Sequence, residues 1–366
     1  SAARAWKASG MVDSTDAVLA FLVAAFVAWA TVPLAERFAV RVGAIDEPGP
    51  RSQHVVATPR MSGLAILAGI EIAGWIWLPG NSETTAILLG AVAVAIVGAL
   101  DDIFDLPALV KLLGQIAAAS IPVAAGVRPD VLTLPFIGGF DLGWTACPLT
   151  VIGIVAVVNI VNLMDGIDGL AAGVVAIAAS AMAIIALSLD RYEAGVLAAV
   201  TAGGALGYLR HGFPPASSFM GDAGSNLLGY MIAVASIQGA LKTNAVVALA
   251  FPLVILAVPI LDTGFVVAKR LKYHQPIYQA DRWHFHHRMA NKGFSQRRTL
   301  AYLYGWTLVL AASALALRFV PYSDNHGHFD LPWTLLMVTV IIAAVAVSAY
   351  LVYVLEIIKL RRTDSG

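Results

Sequence analysis

The sequence is short of charge and almost without cysteine. Only 13% of its 366 residues are charged, whereas soluble domains carry about 25%, and its mean hydropathy is +0.80. This shortage excludes a disordered chain and a soluble cytosolic enzyme. The single cysteine, Cys147, cannot form an internal disulfide, which excludes a disulfide scaffold. The 23 basic and 23 acidic side chains cancel, so we expect no binding of nucleic acid.

Long apolar stretches separated by short polar breaks fill most of the chain. No stretch alternates with period two, which excludes a membrane β-barrel and leaves spanning helices. We therefore predict an all-α polytopic membrane protein with about eleven transmembrane helices. The predicted segments are 17–35, 62–78, 84–100, 112–126, 144–164, 170–189, 194–209, 224–240, 245–268, 300–320 and 332–358.

The ends and the loops of the chain predict its orientation. We expect residues 1–10, before Met11, to be an added leader, and 11–366 to form a single integral-membrane domain whose first helix is retained. The loops and tail on one side of the predicted helices hold 17 of the 23 Lys and Arg residues. Under the positive-inside rule, that side is cytoplasmic, so the N-terminus lies outside and the C-terminus inside.

Polar residues concentrate at the cytoplasmic ends of the predicted helices. An isolated acidic pair such as Asp101 and Asp102 is most often only a solvated helix end, but these two lie at the membrane interface, where an ionised group needs a partner. Lys111 is the nearest candidate. The predicted active-site loops are 36–60, 101–111, 162–169, 210–223 and 269–299.

The stretch from Asn159 to Gly169 is the most informative of these patches. Spacing of three places Asn159, Asn162 and Asp165 on one face of a helix end, and the following glycines permit a turn that brings Asp168 close. Asp222 lies in a glycine-flanked loop that leads into a helix, where backbone N–H groups favour an anion. Clustered carboxylates beside such groups suit Mg²⁺ and phosphate together.

Three histidines, His284, His286 and His287, lie near one another in the long loop after segment nine. Imidazoles suit zinc or copper, but three near-adjacent histidines without cysteine make a poor tetrahedral set. A cationic phosphate-binding loop is the preferred interpretation, and a merely interfacial basic loop is the alternative.

Taken in order, these patches resemble the polyprenyl-phosphate N-acetylhexosamine-1-phosphate transferase superfamily, which is glycosyltransferase family 4. The interrupted His-x-His-His pattern resembles the GlcNAc-type branch more than the phospho-MurNAc-pentapeptide translocase. The matching patches are the segment from Asp46 through Arg51, His54, Pro59, Arg60 and Gly63, Asp101 to Asp105 with Lys111, Asn159 to Gly169, Phe219 to Ser225, and His284 to His287.

The resemblance implies a reaction and its site. A lipid phosphate attacks a UDP-N-acetylhexosamine, giving a polyprenyl-diphospho-sugar and UMP, with Mg²⁺ required and Mn²⁺ able to substitute. It implies catalytic roles for Asp101, Asp102 and Asp165, and Mg²⁺ ligation by Asp222 with Asp165. The implied substrate-binding residues are Lys111, Asn162, Asp168, Phe219, Arg282, His284, His286, His287, Arg51, His54 and Arg60.

The implied setting is the bacterial inner membrane, where the enzyme would start a cell-envelope glycan at the cytoplasmic face, as a monomer or a homodimer. Ser62 and Phe285 depart from the family pattern, which leaves the amino sugar open among GlcNAc, GalNAc, FucNAc and QuiNAc. Which of Asp101 and Asp102 acts as base, and whether an aspartate attacks directly, also stay open. The rival interpretation from another class is a secondary transporter, whose polar residues would lie near mid-membrane.

Overall fold

The computed structural model describes residues 14–47, 57–134, 138–240, 293–321 and 330–360. The chain divides into two compact units, Ser1–Pro252 and Leu253–Gly366. The first unit contains helices α1 (Ser14–Val42), α2 (Gly63–Trp77), α3 (Ser82–Phe104), α4 (Ala108–Ala124), α5 (Ala146–Met164), α6 (Leu170–Ser188), α7 (Tyr192–Gly212) and α8 (Gly221–Ala240). The second contains α9 (Gln296–Phe319) and α10 (Leu331–Leu360).

Ten of the eleven predicted segments coincide with these helices, and the other, 245–268, lies outside the described residues. Among the described residues, six helices are long and apolar enough to cross a membrane: α1, α3, α5 with its preceding turn, α6, α9 and α10. Helices α2 and α4 are shorter apolar helices. The architecture fits an all-α membrane protein, whereas the eleven crossings and the orientation of the termini stay predictions.

The first unit is packed through small residues on its helix faces. Ala20, Ala24 and Ala28 of α1 are fully buried, and a Cβ atom added at Gly203 of α7 would lie 2.3 Å from a backbone oxygen of α1. Because lipid supplies no hydrophobic drive between helices, such close backbone approach is a main source of packing energy. The other side of α1 exposes large side chains such as Phe26, as expected of a lipid-facing surface.

Two short antiparallel ladders, which the sequence pattern did not predict, add to the helices. Ile45–Asp46 (β1) pairs with Thr58–Pro59 (β2), and Val131–Leu134 (β3) pairs with Gly138–Asp141 (β4). Strands of two to four residues are too short for a period-two pattern to be recognised. The β3–β4 hairpin joins α4 to α5, so it lies at the end of the bundle opposite the polar helix ends described below.

The second unit is described by its two helices alone. The hydroxyl of Ser295 accepts a hydrogen bond from the Arg298 backbone N–H at the start of α9. The indole N–H of Trp306 in α9 donates to the hydroxyl of Ser348 in α10 at 2.7 Å. This side-chain contact joins two long apolar helices by a hydrogen bond of the kind that associates helices in membranes.

Candidate active site

Six helix ends meet at one end of the first unit. The C-terminal ends of α3 and α5, the N-terminal ends of α4, α6 and α8, and the loop after α7 all contribute polar groups to one cluster. Each helix runs in the direction opposite to its predecessor, so alternate ends arrive at the same place. Its hydrogen bonds join residues as far apart in the chain as Asp102 and Asp222, which are separated by 120 positions, and the predicted convergence of the described residues is therefore observed.

The first turn of α8 is held by Asp102, which is only 4% exposed. Its two carboxylate oxygens accept hydrogen bonds from the backbone N–H groups of Asp222, at 2.9 Å, and Ala223, at 3.1 Å. A carboxylate at a helix N-terminus satisfies orphan donors and complements the helix dipole. Both oxygens of Asp102 are thus bonded to the backbone of α8, which favours a positioning role. Those of Asp101 are bonded to the backbone N–H of Leu106 and to the Lys111 ammonium, and its side chain is 14% exposed, so Asp101 is the more accessible of the pair.

Glycines make this close contact possible. A Cβ atom at Gly98 in α3 would lie 2.3 Å from the backbone oxygen of Asp222, and one at Gly63 would lie 2.1 Å from the backbone nitrogen of Gly224. Gly221 has a φ of 67°, a left-handed conformation that favours glycine. Three helices therefore approach one another at the start of α8 as closely as their backbones allow.

Lys111 bridges two of the carboxylates. Its ammonium lies 2.9 Å from a carboxylate oxygen of Asp101 and in direct contact with Asp222, and its side chain is 17% exposed. It also donates to the amide oxygen of Asn162 at 3.5 Å. The predicted pairing of Lys111 with the acidic pair is confirmed for Asp101, and Asp222 is an additional partner that sequence spacing did not reveal.

Asn162 and Asp165 complete the cluster from the end of α5. The amide of Asn162 donates to Asp222 and to the hydroxyl of Ser225, both at 2.9 Å. Asp165 follows the last residue of α5 and is half-buried. Burial raises the pKa of Asp165 well above its ordinary value, and the nearby charges of Asp222, Asp102 and Asp168 raise it further.

Asp168 holds the loop after α7. Its carboxylate accepts a hydrogen bond from the backbone N–H of Ala216 at 3.3 Å, and Gly169, with a φ of 75°, begins the turn into α6. The predicted turn that brings Asp168 back toward Asp165 is thus present. Its place in a substrate pocket stays a prediction, and its observed contact is with the protein.

The predicted residues before α2 pack against this loop. Phe219, which is half-buried, donates its backbone N–H to the carbonyl of Pro59 at 2.9 Å. The guanidinium of Arg60 donates to the backbone oxygen of Asp102 at 3.0 Å and to the carboxylate of Asp105 at 3.3 Å. Ser62, the departure from the family pattern, is fully buried, and its hydroxyl lies 2.5 Å from that of Ser218.

The remaining predicted site residues lie outside the described residues: Arg51, His54, Arg282, His284, His286 and His287. Their predicted contacts with substrate stay predictions.

Sequence reasoning missed Gln115, which is fully buried and hydrogen-bonded to Asn159. The available signal was its position four residues after Lys111, because that spacing places both side chains on one face of a helix.

The charge balance bears on a metal ion. Lys111 contacts two carboxylates, Asp101 and Asp222, and the charge of Asp222 also acts on Asp165, so these four described residues carry more acidic than basic side chains. In the part of the chain that the structure describes, no three His, Cys, Asp or Glu side chains form a metal-binding group. Mg²⁺ commonly uses one or two carboxylates with water and substrate phosphates, so the residues present fit Mg²⁺ rather than a metal that needs a full protein cage.

Comparison with known proteins shows that the sequence of this chain is similar to those of transferases. The profile of glycosyl transferase family 4 matches residues 84–240, which contain the clustered residues from Asp101 to Ser225. The chain is 40% identical over 304 residues, 82% of this chain and 85% of the relative, to a probable undecaprenyl-phosphate N-acetylglucosaminyl 1-phosphate transferase of Bacillus subtilis.

Two further relatives cover most of the chain. A decaprenyl-phosphate N-acetylglucosaminephosphotransferase of Mycobacterium leprae is 34% identical over 85% of this chain and 86% of its own length. A phospho-N-acetylmuramoyl-pentapeptide-transferase of Desulforamulus reducens is 31% identical over 77% of this chain and 88% of its own length.

Proposed function

Because this chain belongs to glycosyl transferase family 4, the polyprenyl-phosphate N-acetylhexosamine-1-phosphate transferases, we propose that it transfers an N-acetylhexosamine-1-phosphate group to a polyprenyl phosphate. The relatives named for N-acetylglucosamine are more similar to it, at 40% and 34% identity, than the pentapeptide-transferase at 31%. The donor we propose is a UDP-N-acetylhexosamine, and GlcNAc is the first sugar to test.

In the proposed reaction, an oxygen of the lipid phosphate attacks the β-phosphorus of the UDP-sugar. A new phosphorus–oxygen bond forms to the lipid, the bond from the β-phosphorus to the bridging oxygen breaks, and UMP leaves with that oxygen and the electron pair. A lipid diphosphosugar and UMP are therefore the products. Both substrates and the bridging diphosphate are anionic, so the site must supply positive charge and backbone donors.

The observation that carries the proposal is the contact of Lys111 with both Asp101 and Asp222 beside the N-terminus of α8. In this arrangement, the ammonium of Lys111 separates from one of its two carboxylate partners and binds a phosphate of the incoming lipid. Asp101 then lies beside that phosphate as the candidate base, and Asn162 orients the carboxylate of Asp222. Asp102 holds the helix that presents Asp222.

Asp222 and Asp165 would hold Mg²⁺, with Mn²⁺ as a substitute. When bound, the ion would neutralise diphosphate charge and stabilise the departing phosphate. Burial, and then the nearby charges of Asp222, Asp102 and Asp168, raise the pKa of Asp165, and a divalent cation held there would offset that repulsion, which supports this assignment. The proposed site of action is the cytoplasmic face of a bacterial inner membrane.

The polar cluster lies at helix ends, which argues against the transporter interpretation. Transporters bind substrate near mid-membrane on broken helices. In this chain, Asp101 and Asp102 lie within four residues of the end of α3, and Asp222 is the second residue of α8.

The test is UMP release by the purified protein with polyprenyl phosphate, Mg²⁺ and a panel of UDP-sugars. The panel contains UDP-GlcNAc, UDP-GalNAc, UDP-6-deoxy amino sugars and UDP-MurNAc-pentapeptide. We expect release with an N-acetylhexosamine donor, and a loss of at least 100-fold in the Asp222→Ala variant at an unchanged melting temperature. Full activity of Asp222→Ala would overturn the site assignment, and folded wild-type protein that releases no UMP from any donor would overturn the function.

A further inference from the structure

A second set of polar side chains lies one helical turn deeper in the bundle than the proposed site. Gln115 follows Lys111 by four residues in α4, Asn226 follows Asp222 by four in α8, and Asn159 precedes Asn162 by three in α5. Helices α4 and α8 begin at the site and α5 ends there, so each step leads away from it by about one turn, roughly 5 Å. We call Gln115, Asn159 and Asn226 the amide layer.

The amide layer is connected across three helices. The amide of Asn159 donates to the side-chain oxygen of Gln115 at 2.7 Å, and the amide of Gln115 donates to the side-chain oxygen of Asn226 at 3.4 Å. Asn159 also donates to the backbone oxygen of Val155 in its own helix at 2.8 Å. Each helix that supplies a residue to the Lys111, Asp222 and Asn162 cluster therefore supplies one to this layer.

Burial of these amides is unfavourable for the free energy of folding. Gln115 is 1% exposed and Asn226 is fully buried. Among the described residues, nothing accepts a hydrogen bond from the amide nitrogen of Asn226. A buried amide with an unused donor is a net cost, and apolar residues of similar shape would pack without it. The layer therefore calls for an explanation other than stabilising the bundle.

We infer that the amide layer positions the site above it, by fixing the rotation of α4, α5 and α8 relative to one another. Rotation of any of these helices about its axis would move Lys111, Asp222 or Asn162 and also break a bond of the layer. Apolar side chains tolerate such small rotations, whereas hydrogen bonds do not. Gln115, Asn159 and Asn226 are positioning residues, since they act through the residues one turn away. The inference rests on the proposed function only for its kinetic readout.

The experiment compares wild type with Gln115→Met, Asn226→Leu and the double variant. We expect kcat to fall at least tenfold in each single variant, while the KM for the UDP-sugar changes less than threefold. The loss in kcat of the double variant should not exceed that of the less active single variant, because the two residues belong to one connected unit. Gln115→Glu, whose protonated form can make both bonds, should recover most of kcat.

Thr201→Val is the matched control, since Thr201 is also fully buried and its hydroxyl donates to the backbone oxygen of Leu197 in its own helix. It should keep wild-type kinetics. A readout independent of turnover is the rate at which an amine-reactive reagent modifies Lys111, measured by peptide mass spectrometry. Loss of the layer should raise that rate at least threefold.

Unchanged kcat and unchanged Lys111 reactivity in both single variants would overturn the inference. So would additive losses accompanied by a lower melting temperature, which would show a purely structural role. If wild type releases no UMP, the proposed function fails, and the modification rate of Lys111 still tests whether the amide layer positions the site. Should Gln115→Met not fold, Asn226→Leu tests the bond between α4 and α8, and Gln115→Glu is the comparison that keeps it.

Discussion

Asp165 shows how a single residue can work against stability. Burial raises its pKa, and the charges of Asp222, Asp102 and Asp168 raise it further. The folded protein therefore binds this proton more tightly than an unfolded carboxyl, whose pKa is about 3.9. Stability from this group is fully present below that unfolded pKa and is lost as the pH rises through the folded pKa. A residue kept at such a cost is typical of a functional site.

We predict that Asp165→Asn raises the melting temperature in Mg²⁺-free buffer at neutral pH, because it removes a carboxyl that other carboxyls oppose. The gain over wild type should grow with pH from about 4 upward, as wild type loses the contribution of the protonated carboxyl. Thermal unfolding in detergent over a pH series measures it. Turnover should fall at least 100-fold.

Asp141, an exposed carboxyl at the opposite end of the bundle, gives the matched control. Asp141→Asn should change neither property. A melting temperature of Asp165→Asn that is lower than wild type at every pH would contradict the electrostatic account.

Ser62 illustrates how a departure from a family pattern is accommodated. Its buried hydroxyl has a partner in Ser218 at 2.5 Å, and Ser218 also donates to the carbonyl of Pro59 at 3.2 Å. The side chain therefore fits without an unpaired buried oxygen. This contact joins the segment before α2 to the loop that carries Phe219.

At the scale of helices, the start of α8 is set by backbone contact rather than by side-chain packing. Gly98 of α3 is the clearest case, because a Cβ atom there would lie 2.3 Å from the Asp222 carbonyl oxygen, which cannot move without moving the helix. Gly153 of α5 provides a natural comparison, since a Cβ atom there meets nothing within 4 Å.

We predict that Gly98→Ala destabilises the protein by about 2 kcal/mol or more through overpacking, and that it displaces Asp222 enough to lose most turnover. Gly153→Ala should be neutral or stabilise by about 0.5–1 kcal/mol, because alanine is the better helix former. The melting temperature and UMP release of both variants are the measurements. Equal behaviour of the two would show that the close approach at α8 is not required.

At the scale of the whole first unit, alternating helix direction gathers the site at one end. Trp144, which is 86% exposed, lies beside the hairpin end, whereas Ser217 lies in the loop at the site end. The positive-inside argument predicts that the first is outside the cell and the second in the cytoplasm.

Single cysteines at these two positions, in a Cys147→Ser background, test that orientation. We expect a membrane-impermeant maleimide to label the Trp144→Cys variant in intact cells and the Ser217→Cys variant only after lysis. Labelling of both positions from outside would contradict their predicted placement on opposite sides of the membrane. The reverse pattern would show that the predicted orientation is wrong.

The described helices were predictable because hydropathy is a local property. Ten of the eleven apolar segments correspond to helices, and the polar residues at their ends could be assigned to one side by counting helices. The partners of those residues could not be assigned in this way. Spacing brought Lys111 near Asp101, but its contact with Asp222 joins positions 111 residues apart, and no local pattern encodes such a distance.

The amino-acid sequence alone determined that this is a helical membrane chain and which residues gather at one end of its helices, because burial in lipid selects apolar runs and their polar ends directly. Tertiary structure decided what each gathered residue does. Asp102 caps α8, Lys111 lies between two carboxylates, and Gln115 lies beneath them. Those roles depend on the distance and rotation between the packed helices. Both are set by contacts between residues that are far apart in the sequence.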